Sequence, residues 1–165
     1  MSIKRDLLKE KLLDPKQYST VYISKVEEER AAREQIDTLV ELLTDDKHKS
    51  SKAEVFNFMK KEKKAVDLLV RAIGEAKENK SKLIATCWEA DLDCDRYVAL
   101  FTGLTLSEDL GVAMEALTTV QNMRQVSNTE ATQLLEKIKQ NMPKQVDSAR
   151  ESIIADLVET LRKWQ

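Results

Sequence analysis

Turn-formers, metal ligands and aromatic residues are all scarce in this chain. Three glycines and two prolines in 165 residues are too few for the tight turns of a strand-rich fold. Gly74, Gly103 and Gly111 also lie too far apart to build a phosphate-cradling loop. The single histidine, His48, excludes a di-iron helical bundle, which needs Glu-x-x-His twice. The only cysteines, Cys87 and Cys94, do not form a Cys-x-x-Cys pair. With His48 in a distant polar loop, a zinc site lacks ligands. No apolar run is long enough to cross a bilayer. The opening Met1-Ser2-Ile3-Lys4-Arg5-Asp6 runs straight into a charged amphipathic pattern, with no apolar segment of a secretory signal behind it. Together these absences predict a cytoplasmic protein with free, buried thiols. The net charge of −2 also lacks the basic excess of a general nucleic-acid binder.

What is abundant is helix-forming. Ala, Leu, Glu, Lys and Gln dominate, and the apolar residues recur at helical spacing. Ile3, Leu7, Leu8 and Leu12 mark a short first helix that stops near Asp14-Pro15, because the residue before a proline avoids helical geometry. A long helical stretch follows over residues 16–43, with the stripe Tyr18, Tyr22, Val26, Ala32, Ile36, Leu39, Val40 and Leu43. Its middle, Glu27-Glu28-Glu29-Arg30, is nearly all charge, so the segment either kinks or projects as an arm. Residues 44–51 read as a polar loop. Residues 52–76 carry Val55, Phe56 and Met59, then Val66, Leu69, Val70 and Ile73, on either side of Lys60-Lys61-Glu62-Lys63-Lys64; one long helix or two short ones both fit.

Residues 82–123 read as two short amphipathic helices, a polar turn and a longer helix. Their stripes are Leu83, Ile84, Cys87 and Trp88; then Tyr97, Leu100, Phe101 and Leu104; then Leu110, Ala113, Met114, Leu117 and Val120. Ser81, Asp93 and Ser107 are the expected N-caps. A further helix starting at Asn128 or Thr129 carries Leu134, Leu135 and Ile138. The last has Pro143 in its first turn and the face Val146, Ala149, Ile153, Ile154, Leu157, Val158, Leu161 and Trp164. Seven or eight helices follow from this count. They form one domain over residues 1–165: N-terminal helices in 1–50 and stacked, antiparallel helical pairs in 52–165. An irregular helical bundle is the alternative architecture.

Candidate chemistry is thin. Asp91-x-Asp93-x-Asp95 resembles the start of a calcium loop, but Arg96 stands where glycine is needed and Thr102 where the bidentate glutamate belongs. Carboxylates at a helix N-terminus explain the motif better. Cys94 sits between Asp93 and Asp95, which work against a nucleophilic thiolate. Trp88 lies in the densest apolar stripe and reads as core, whereas Trp164 either docks the last helix or touches another subunit. Charge is unevenly spread: residues 52–82 hold nine Lys/Arg against five Asp/Glu, and residues 83–123 one Arg against seven. The sequence assigns no catalytic, cofactor-binding or metal residue and names no partner-binding residue.

The run Leu83-Ile84-Ala85-Thr86-Cys87-Trp88-Glu89-Ala90-Asp91-Leu92-Asp93, continuing to Tyr97, Phe101, Leu104 and Glu115-Ala116, resembles armadillo/HEAT-type helical-repeat proteins, including uncharacterised small bacterial HEAT-like proteins. Cys87-Trp88-Glu89-Ala90 is faintly echoed by Ala113-Met114-Glu115-Ala116. The resemblance implies an α–α superhelix with a groove for a protein or peptide, and no catalytic residue. The expected function is therefore a non-catalytic scaffold for a protein partner, not an enzyme and without a cofactor. A self-assembling homo-oligomer is the second expectation, and a nucleic-acid-binding repeat using the basic segment 52–82 the third.

Overall fold

The structure, a computed structural model, describes residues 25–107 and 109–165. The expected first helix and residues 16–24 of the long second stretch lie outside the described residues. Those described are all-α: eight α-helices and two short 3-10 turns, with no strand among them. The chain divides into two compact units, Met1–Lys77 and Glu78–Gln165.

In the first unit, α1 (Lys25–Thr44) leads through a 3-10 turn (Asp46–Ser51) into α2 (Lys52–Lys61) and α3 (Lys63–Glu75). The 52–76 segment is thus two helices. The break falls at Glu62, whose backbone is extended (φ −114°, ψ 99°). Residues 60–64 are all exposed, so leaving helical geometry there uncovers no apolar side chain. α1 packs against α3 through Ile36, Leu39, Leu42 and Leu43, which are buried like Val66, Leu69, Val70 and Ile73. The buried face of α1 is rotated from the expected one: Leu42 replaces Val40, and Val26 is 77% exposed. The charged start of α1 does not leave it loose. Arg71 pairs with Glu29 and Glu75, and Arg33 with Glu75, so a two-helix ion network continues the contact where the apolar stripe ends. Residues 25–44 therefore lie along α3 instead of projecting.

The second unit contains α4 (Lys80–Glu89), a 3-10 turn (Asp95–Tyr97), α5 (Val98–Thr105), α6 (Leu110–Gln121), α7 (Asn128–Asn141) and α8 (Ser148–Arg162). α6 is its centre, packed on α4, α5 and α8, while α7 lies on α8. Most of α6 accordingly turns inward: Val112, Ala113, Ala116, Leu117, Thr119 and Val120 are buried. On α5 the buried set is Val98, Phe101, Thr102 and Thr105, one residue off the expected stripe, with Leu100 and Leu104 only half-buried. Threonine explains the shift. A threonine hydroxyl enters a helix core at little cost when it donates back to the carbonyl four residues earlier. Thr86, Thr105, Thr119 and Thr160 all do so, at 2.7–3.2 Å. Thr102 is the exception, its buried hydroxyl lacking a partner.

Several helix starts differ by a few residues from the sequence expectation; where a side chain caps the helix, its oxygen must reach an amide two or three residues on. Asp109, not Ser107, caps α6 by accepting from the Val112 amide at 3.0 Å. Ser107 Oγ instead accepts from the Asp109 amide. Ser127 caps α7 through the Glu130 amide. Asp147 caps α8 through the Arg150 amide at 2.9 Å, which leaves Pro143 in the connector and not in the first helical turn. α4 begins after Asn79, not Ser81, with Asn79 in the left-handed region (φ 55°).

Candidate functional site

The region from α4 to the start of α7 holds most of the chemistry-bearing residues singled out in the sequence. α4 ends in a turn that reverses the chain. The Leu92 amide donates to the Cys87 carbonyl at 2.9 Å and the Asp91 amide to the Trp88 carbonyl at 3.1 Å, while Asp91 itself takes φ 50°. This paired closure with a left-handed residue is the Schellman ending of a helix. Its usual occupant is glycine; here it is an aspartate, a residue type that tolerates the conformation better than most.

The three carboxylates of Asp91-x-Asp93-x-Asp95 diverge into separate structural bonds. Asp93 accepts from the Asp95 amide at 3.3 Å and opens the 3-10 turn. Asp95 reaches across to the connector before α7, where it accepts from the backbone amides of Gln125 (2.8 Å) and Arg124 (3.2 Å). Asp91 pairs with the Arg124 guanidinium. Asp93 stays local to the 3-10 turn and does not cap α5 as expected, since the N-cap position there is Tyr97; Asp91 and Asp95 clasp a segment about thirty residues away. Nothing in the sequence marked Gln125 or the amide of Arg124, because a backbone donor carries no residue signature.

Cys87 and Cys94 are both free and buried. The reversal of the chain brings them to the wall of one recess. The neighbouring Cys94 side chain, with burial, pushes the Cys87 thiol well above its ordinary pKa. Both line a small recess with Trp88, Asp91, Asn122 and Met123. Trp88 is half-buried, not the core residue expected. Its indole Nε1–H donates to Glu115 Oε2 of α6 at 2.7 Å, which keeps one edge of the ring at the surface as indole chemistry favours. Trp164 is half-buried as well.

Beside this pair, α6 presents an uncharged outer face. Leu110 and Met114, expected in the buried stripe, are 42% and 54% exposed. Gly111 and Thr118 complete the stripe, exposed and half-exposed. Glu115 is the one charged residue in α6, and it is engaged by Trp88. No known protein family, curated protein or solved structure matches the chain. Its described residues are all-helical, and no family or repeat type is identified for it.

In the first unit His48 lies within the 3-10 turn, not in an unstructured loop. Glu41, Asp45 and His48 bring one potential ligand atom each within 4.8 Å of one another, at an i, i+4, i+7 spacing across the end of α1. Asp45 Oδ1 also accepts from the Lys47 amide at 2.9 Å, and His48 Nε2 stands 3.9 Å from Glu41 Oε1. The arrangement is that of a helix-end cap with an imidazole beside a carboxylate. Among the described residues no helix is long and apolar enough to cross a membrane.

Proposed function

We propose that this chain is a non-catalytic helical scaffold that binds another protein or peptide in the cytoplasm. The observation that carries the proposal is the outer face of α6. In a chain with 34% charged residues, a twelve-residue helix at the centre of its unit exposes Leu110 and Met114 with no charge of their own between them. Large apolar side chains exposed side by side, rimmed by polar residues, mark association surfaces. Methionine suits such a surface because its unbranched thioether adapts to a partner's shape. The packing of α6 on α4 two helices before it and on α8 two helices after it is also what stacked helical pairs of armadillo/HEAT type would give.

The test is a pull-down with the tagged chain from lysate of its source cells at low and moderate salt, beside the Met114→Lys variant. A protein retained by the wild type at both salts and lost in the variant, with the variant's melting temperature unchanged, supports the scaffold. If nothing is retained and light scattering shows an oligomer that Met114→Lys dissolves, the stripe serves self-assembly and the scaffold reading fails. Retention of nucleic acid alone, lost as salt rises, points instead to the exposed lysines of residues 60–64.

A further inference from the structure

Two thiols in one chain usually lie apart; here a helix ending places both on one small recess. Cys87 sits on the last turn of α4, and the left-handed Asp91 reverses the backbone so that Cys94 returns against it. Both thiols line the same small recess, and the residues around them are held from two sides. The Leu92–Cys87 backbone bond closes the turn, and Asp95, the residue after Cys94, is anchored to the amides of Arg124 and Gln125. Each cysteine is about 2% exposed or less, which excludes bulky reagents. Both nevertheless line the recess beside Trp88, whose walls include the polar side chains of Asp91 and Asn122. A recess of that kind admits a water-sized molecule, since a water needs polar partners and little more than its own volume.

We propose that Cys87 and Cys94 are a redox-active dithiol that a small peroxide closes to an intramolecular disulfide. The chemistry balances without any further reagent. One sulfur attacks a peroxide oxygen, the O–O bond breaks, and the products are a sulfenic acid and one water. The neighbouring sulfur then attacks the sulfenic sulfur, the S–O bond breaks, and a second water leaves. Two thiols have lost two electrons and two protons, and the peroxide has been reduced to two waters. The high thiol pKa of Cys87 makes the pair slow at neutral pH and faster as pH rises, because only the thiolate attacks. Bulky disulfides such as oxidised glutathione, which need an exposed sulfur, are poor oxidants for it. This dithiol is independent of the scaffold proposal and stands or falls separately.

The sequence offers a direct readout. Trypsin cleaves after Lys82 and Arg96 and nowhere between, so one peptide carries both cysteines. Native protein treated with hydrogen peroxide, alkylated and digested should yield peptide 83–96 unalkylated and lighter by about 2 Da. Dithiothreitol should reverse the change, and the rate should rise with pH. Trp88 fluorescence should fall in parallel and recover on reduction. The Cys94→Ser variant should show neither the mass loss nor the reversible quenching, and the wild-type mass alone decides the matter if that variant does not fold. Three results overturn the proposal: peptide 83–96 unchanged at peroxide levels that oxidise the urea-unfolded chain, oxygen added to one cysteine without closure, or only chain-to-chain disulfides.

Discussion

Replacing Asp95 by alanine tests whether the Asp91-x-Asp93-x-Asp95 run is a clasp and not an ion site. The substitution removes an acceptor that holds two backbone amides, Gln125 at 2.8 Å and Arg124 at 3.2 Å. Hydrogen bonds to charged groups contribute about 1.5–3 kcal/mol each when well shielded. Asp95 is half-buried, and water replaces part of what is lost, so about 2 kcal/mol for the pair is the reasonable figure. In a unit of the size of Glu78–Gln165, each kcal/mol moves the midpoint by about 4–8 °C. Asp95→Ala should therefore lower the melting temperature by about 8–16 °C. Asp95→Asn, which keeps one acceptor oxygen and turns an NH2 toward the other amide, should lose about half as much. Asp93→Ala removes only a local 3.3 Å bond and should change little. Hydrogen exchange provides the site-specific assay: the Gln125 and Arg124 amides should be protected in the wild type and exchange much faster in Asp95→Ala. If Asp95→Ala melts with the wild type and those amides stay protected, the clasp is wrong. A calcium-dependent rise in melting temperature, abolished by Asp91→Asn, would restore the ion site.

Other expectations concern single positions. Leu69 is fully buried, and Leu69→Ala should cost about 2–5 kcal/mol in a denaturant titration. Thr102→Val removes the one buried hydroxyl without a partner among the described residues at nearly constant volume. It should be neutral or stabilising by about 1 kcal/mol, and a clear loss of stability would mean that the hydroxyl is satisfied. In the first unit, the Arg71 guanidinium draws the Glu29 carboxyl below its usual pKa, and Arg33 and Arg71 do the same for Glu75. Carboxylates with lowered folded values stabilise the fold above their unfolded pKa and lose that contribution as pH falls through the folded one. Arg71→Gln should thus be less stable than the wild type at neutral pH and converge with it in acid. The gap should shrink in high salt; a gap constant with pH would mean that Arg71 acts through packing.

The fold class was legible because each of the eight helices among the described residues turns an apolar stripe inward, and that periodicity is written in residue types. Ile153, Ile154, Leu157 and Leu161 of α8 are buried where the pattern put them, as are Leu134, Leu135 and Ile138 of α7. The pattern misled where side chains of mixed character occupy both faces. Met114 and Leu110 count as apolar in any stripe, while Thr119 and Thr105 count as polar, yet the threonines are inside and Leu110 and Met114 outside. The deciding fact, a hydroxyl returning its proton to its own helix, is invisible to a hydropathy pattern. Helix breaks without proline or glycine, such as Glu62, were equally opaque. The Cys87–Cys94 recess and the Asp95 clasp depend on a left-handed aspartate and on backbone donors, and neither leaves a mark in composition or spacing.

The back-bonded threonines also divide the labour within the second unit. Thr86, Thr105, Thr119 and Thr160 each satisfy themselves inside one helix, so none of these four ties its helix to a neighbour. The interior supplies cohesion through close-packed apolar faces. The bonds that cross between segments, Trp88 to Glu115, Asp95 to the Gln125 amide and Arg150 to the Ser107 carbonyl, lie toward the surface. Alignment is thus written at the rim and cohesion in the centre. Core positions of this unit can drift among apolar residues of similar volume, while a handful of partly exposed polar residues keep each helix in its place.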